Sequence, residues 1–99
     1  MSDFRRTDIE QLRANGAQFT LIDVREPWEH DEFNIGGKNL PLGSIQEWIS
    51  DLEDLKSEKV VLYCRSGARS GMATSFMTAQ GFQDVHNLAG GVIAWQAEE

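Results

Sequence analysis

Cysteine is almost missing from this chain: Cys64 is the one such residue in 99. A single thiol forms no internal disulfide and no multi-cysteine zinc site, so any chemistry at Cys64 is that of one sulfur. Long apolar runs are missing as well. The longest, Val60-Val61-Leu62-Tyr63-Cys64, falls far short of the ~20 residues a membrane-spanning helix needs, so no membrane association is expected. Met1-Ser2-Asp3-Phe4-Arg5-Arg6 leads into no apolar stretch; no secretory leader is expected and the expected location is cytoplasmic. Positive charge is scarce, with nine bases against 16 acids and a net charge of −7. That excludes a broad basic surface, and a nucleic-acid partner is not expected. No repeat, low-complexity tract or linker breaks the chain, and its length suits one domain over residues 1–99. The acidic stretches at 26–32 and 51–58 read as solvated surface.

What is present alternates between helical and strand patterns. Thr7-Asp8-Ile9-Glu10 has the spacing of a capping box and opens a helix that ends near Gly16. Phe19 to Val24 reads as a strand. Pro27 opens a brief helix carrying Trp28, Glu29 and His30. Residues 34–43 read as loop. Ser44-Ile45-Gln46-Glu47 repeats the capping signature and starts a helix to about Leu52. Lys59 to Tyr63 is a continuous apolar strand, the pattern of burial on both faces. Ser70 to Gln80 is helical, with Met72, Ala73, Phe76 and Met77 expected on one face. Val85 to Leu88 is a strand, and Gly90-Gly91 opens a last helix. Trp28, Trp48 and Trp95 are expected to anchor the core, and His30 and His86 to be structural. Strands separated by helices give an α/β class: a small, mainly parallel β-sheet flanked by helices on both faces. Ligands bind beyond the carboxyl ends of such strands, which points to the loops after Asp23 and after Tyr63.

The second loop carries the chemistry. In Tyr63-Cys64-Arg65-Ser66-Gly67-Ala68-Arg69-Ser70 a buried strand ends at a thiol, and a short loop leads into a helix. Backbone N–H groups of the loop and of the first helical turn can converge on the sulfur as an anion-binding nest. Arg65 and Arg69 add positive charge. Each effect favours the thiolate, the nucleophilic form. Gly67 suits a loop that curls tightly. Asp23 either orients an arginine near the site or is an ordinary turn carboxylate. Arg25 either supplies charge to a donor or pairs with Asp23 or Glu26.

The chain resembles the rhodanese family of single-domain sulfurtransferases. The resemblance rests on Cys64-Arg65-Ser66-Gly67-Ala68-Arg69-Ser70, on Leu21-Ile22-Asp23-Val24-Arg25-Glu26 with Trp28-Glu29, on Asn39-Leu40-Pro41-Leu42, and on Leu88-Ala89-Gly90-Gly91-Val92-Ile93-Ala94-Trp95. It departs from the family at Asn34-Ile35-Gly36-Gly37-Lys38, where His-Ile-x-Gly-Ala is common. The resemblance implies that Cys64 takes a sulfane sulfur from thiosulfate or a persulfide, holds it as a cysteine persulfide, and passes it to cyanide or a thiol such as thioredoxin or glutathione. It implies a substrate cradle made by Arg65, Ser66, Gly67, Ala68, Arg69 and Ser70, supported by Asp23 and Arg25, with no cofactor and no metal. Phosphatases and arsenate reductases of related fold have one residue more between the cysteine and the arginine than the Arg65-Ser66-Gly67-Ala68 found here. A shorter loop implies a cradle sized for sulfur. The remaining alternative is a non-catalytic rhodanese-like module for protein binding or sulfur relay.

Overall fold

The computed structural model describes residues 2–98. Its strands are β1 (Ser2–Phe4), β2 (Thr20–Asp23), β3 (Lys38–Asn39), β4 (Lys59–Tyr63) and β5 (Asp84–Leu88). Its helices are α1 (Arg6–Ala14), α2 (Pro27–Glu32), α3 (Ile45–Trp48), α4 (Ala68–Ala79) and α5 (Gly91–Ala97). A 3-10 segment, Ile49–Leu55, continues α3. The strands form one sheet in the order β1-β5-β4-β2-β3, and every pairing is parallel.

The unbroken apolar run of β4 follows from its central position. Val60 and Leu62 face one layer, with Ile22, Trp48, Leu52, Ala73, Met77 and Phe82. Val61 and Tyr63 face the other, with Leu21, Ile9, Leu88, Val92 and Trp95. Helices therefore cover both faces, as the alternation of elements requires. Among the described residues, no helix is long and apolar enough to cross a membrane.

Several local expectations need correction. β1 was not expected: three residues offer no readable alternation, and they form a strand by pairing with β5. Thr7 does not cap α1. Arg5 occupies the cap position, and the Asp8 carboxylate accepts its N–H at 2.8 Å. Ser44 makes no side-chain cap to α3, and its hydroxyl turns back to Pro41 O. Trp28 is no core anchor; it is 66% exposed, because α2 is one short surface helix with no buried residue. Met72 is also exposed. The buried face of α4 runs through Ser70, Ala73, Thr74 and Met77, the i, i+3, i+4, i+7 stripe of a helix, and Met72 falls outside it.

The departing loop is tightly organised. Asn34 accepts the Gly36 N–H and donates to His30 O, both at 2.9 Å. Tyr63 Oη donates to Gly36 O at 2.9 Å and accepts from Ile35 N at 3.3 Å. Burial, with Asp23 close by, pushes the Tyr63 hydroxyl up to about 12, so it remains a donor. Gly37 takes φ +87°, and a Cβ there would lie 2.4 Å from Leu21 O; only glycine lets the loop lie this close to β2.

Candidate active site

The register brings two strand ends side by side: Asp23 of β2 is opposite Tyr63 of β4. The two loops singled out in the sequence thus leave the sheet as neighbours. Cys64 follows β4 directly and is buried. Its Sγ accepts the Gly67 N–H at 3.1 Å and the Ser70 N–H at 3.4 Å. Gly67 makes the curl possible with φ +101°, a conformation that costs other residues steric strain.

The loop's orientation is set from behind by α5. Val92 N donates to Cys64 O at 2.9 Å, and Ile93 N donates to Arg65 O at 3.0 Å. In a trans peptide the N–H points opposite to the C=O. Tethering the Arg65 carbonyl to α5 therefore turns the Ser66 N–H toward the thiol. A Cβ on Gly91 would sit 2.4 Å from Cys64 O, so glycine is what lets α5 press against this backbone.

Burial pushes the Cys64 thiol up. Hydrogen bonds from Ser70, through its hydroxyl and N–H, and from the N–H groups of Gly67 and Ser66 outweigh burial, and the thiol sits below its ordinary value. The Ser70 hydroxyl has one proton and two acceptors, Cys64 Sγ at 3.4 Å and Asn87 Oδ1 at 2.5 Å. Asn87 Nδ2 also donates to Gly67 O at 3.1 Å. Geometry favours Asn87 for the resting proton, so the backbone N–H groups are the constant donors to sulfur.

The arginines divide into two kinds. Arg69 forms a forked pair with Glu29, at 2.8 and 3.0 Å. Hydrogen bonding to Arg69, against the opposing effect of burial, holds the Glu29 carboxyl down at about 2. Arg25 lies over Asp23 with contacts of 2.8–3.2 Å and also donates to Phe33 O. Asp23 is fully buried and additionally meets His30 Nδ1 at 2.8 Å. Asp23 thus orients Arg25, and Arg25 pairs with Asp23 rather than with Glu26. Arg65 is exposed and, among the described residues, its guanidinium has no hydrogen-bond or ion-pair partner. Ser66 and Ala68 lie exposed on the loop, and Ser70 is buried at its end.

Two residues of the site had no role assigned from sequence. Glu29 belongs to a recognised motif, yet its partner is 40 positions away. Asn87 gives only the weak signal of one polar residue among several in a short strand. Among the described residues, no group of three or more His, Cys, Asp or Glu could hold a metal ion.

Comparison with known proteins places the chain among sulfurtransferases of similar length. A sulfurtransferase of Allochromatium vinosum is 39% identical over 88 residues, covering 88% of this chain and 80% of that protein. The thiosulfate sulfurtransferase GlpE of Pseudomonas fluorescens is 36% identical, over 98% of this chain and 89% of its own. The human single-domain sulfurtransferase TSTD1 shares the fold, with a TM-score of 0.85 at 23% identity, over 98% of this chain and 96% of that one. The rhodanese-like domain model matches residues 6–98. On these grounds the chain belongs to the rhodanese-like domain family.

Proposed function

We propose that this protein is a sulfurtransferase that carries sulfane sulfur as a persulfide on Cys64. The observation behind the proposal is a buried thiol at the end of the central strand, with the N–H groups of Gly67 and Ser70 converging on its sulfur. Such donors lower the thiol's pKa and favour negative charge at one point. In the first half-reaction the Cys64 thiolate attacks the outer sulfur of thiosulfate. The new S–S bond forms as the old one breaks, and sulfite leaves with the electron pair. The negative charge then lies on the outer sulfur of Cys64–S–S⁻. In the second half-reaction an acceptor thiolate or cyanide attacks that outer sulfur, and the Cys64 thiolate is the leaving group. Such covalent relay predicts ping-pong kinetics. The N–H groups around Cys64 are fixed by the fold before any charge arrives, which is preorganised stabilisation.

Intact mass after incubation with thiosulfate tests this in wild type and Cys64→Ser. The expected result is an adduct of one sulfur on wild type alone, removed by cyanide with release of thiocyanate. An accessible Cys64 that gains no sulfur from thiosulfate or a persulfide would make the domain a binding module instead.

A further inference from the structure

Strand β5 brings one side chain beneath the thiol loop. Val85 belongs to the apolar layer under α4. Side chains two apart on a strand face the same way, so Asn87 also faces α4. The register sets Asn87 beside Leu62, which lies two residues before Cys64. There its amide spans two of the groups that surround the sulfur. Nδ2 donates to Gly67 O at 3.1 Å, and Oδ1 accepts the Ser70 hydroxyl at 2.5 Å. The Gly67 carbonyl can only accept, so the NH₂ group faces it and Oδ1 is left for Ser70. The orientation of the amide is fixed by these two partners.

Ser70 has one hydroxyl proton and a second acceptor within reach, Cys64 Sγ at 3.4 Å. Passing the proton between the two needs only a turn of the O–H bond; no heavy atom moves. A neutral sulfur is a weak acceptor and an ionised one a strong acceptor. The Asn87 carbonyl oxygen outcompetes the first and yields to the second. The neighbouring charges are tied down: Arg69 by Glu29, Arg25 and His30 by Asp23. Arg65 lies exposed on the loop. Asp84 and His86 bond each other on the face of β5 opposite to Asn87. The Gly67 and Ser70 N–H groups are fixed donors to sulfur, and the Ser70 hydroxyl is the donor that can follow the charge.

We propose that Asn87 is a positioning residue for sulfur transfer: it holds the Ser70 hydroxyl proton while Sγ is neutral and releases it when Sγ carries charge. The inference rests on the sulfur-transfer reading above and adds a residue to it. In the loaded state the charge sits on the outer sulfur, Sγ is neutral, and the Ser70 proton stays with Asn87. When cyanide takes the outer sulfur as thiocyanate, the S–S bond breaks and its electron pair falls on Sγ. The Ser70 hydroxyl then turns to that atom.

The test replaces Asn87 by Ala and by Leu, the second keeping nearly its size, each with and without Ser70→Ala. Either change leaves Gly67 O with the Gly71 N–H at 2.9 Å, so the loop carbonyl is not orphaned. The readouts are the pH midpoint of iodoacetamide alkylation and the rate at which cyanide discharges a Cys64 loaded by thiosulfate. With its competitor gone, the Ser70 hydroxyl is expected to rest on sulfur. The midpoint is expected to fall by about half a pH unit, roughly a threefold gain in thiolate, the scale of one neutral hydrogen bond. Discharge is expected to quicken by about twofold, because a less basic thiolate leaves faster. Neither change is expected in the Ser70→Ala background. A midpoint that rises or stays put in either folded variant overturns the inference and leaves Asn87 as a support of the loop. A fall that persists without the Ser70 hydroxyl overturns it too, as does a shifted midpoint with unchanged discharge. Alkylation needs no sulfur donor, so the midpoints judge Asn87 alone. A wild-type Cys64 that takes up no sulfur is instead a failure of the sulfur-transfer reading.

Discussion

The sulfur of Cys64 is under two opposed influences: a buried setting that disfavours charge, and a ring of N–H donors that welcomes it. The donors win, so alkylation by iodoacetamide should reach half its maximal rate below the ~8.5 of a free cysteine. Ser70→Ala removes a hydroxyl whose proton is shared with Asn87, so its midpoint should move up toward the free value. A midpoint at or above that of free cysteine in wild type would contradict the geometry. The sequence discloses the thiol, the glycine and the loop because all are consecutive. It does not disclose Asn87, which reaches Gly67 and Ser70 from a neighbouring strand. A polar residue in a strand names no partner until the register is known.

At the scale of elements, the pair Glu29–Arg69 joins α2 to the first turn of α4. The Glu29 carboxyl is held at about 2 in the folded chain, below the ~4.3 of an unfolded glutamate. A depressed acid contributes stability that is complete above its unfolded value and fades as pH falls toward its folded one. Glu29→Gln should therefore cost about 2 kcal/mol at pH 7, with the gap from wild type closing between about pH 4.5 and 2. Urea melts across that range check it, and a gap independent of pH would assign Glu29 a packing role only. Strand β4 is legible as an apolar run and β2 as a short β-rich one, while β5 carries only Val85 and Leu88 as apolar signals. Helix α4 is legible as a helix, though not in its facing: the sequence suggests Met72 inward, while Ser70 and Thr74 share the buried stripe with Ala73 and Met77. The cap of α1 was displaced from Thr7 to Arg5 because cap geometry depends on where the preceding strand, β1, delivers the chain. The exposure of Trp28 has a related cause. Its aromatic bulk suggests core, but a helix of six residues at the edge of a small sheet has no interior to offer.

The molecule as a whole is acidic, with a net charge of −7, and its proposed donors are anions. Long-range repulsion then works against their arrival, while the cations near the thiol act only at close range. Persulfidation of Cys64 by thiosulfate should accelerate as salt rises from a few millimolar to about 0.15 M, where the screening length is ~8 Å. Alkylation by neutral iodoacetamide should be indifferent to salt. A thiosulfate rate that falls with salt would mean that local cations dominate encounter. The backing of the thiol loop by α5 has a consequence for biosynthesis. The carbonyls of Cys64 and Arg65 are fixed only when Val92 and Ile93 dock against them. Those residues emerge from the ribosome well after Cys64 does. Until they arrive, the carbonyls of Cys64 and Arg65 lack this tether, and the Ser66 N–H is not yet turned toward the sulfur. Activation of the thiol is thus timed by translation itself: the chain becomes a reagent only once it has become a fold.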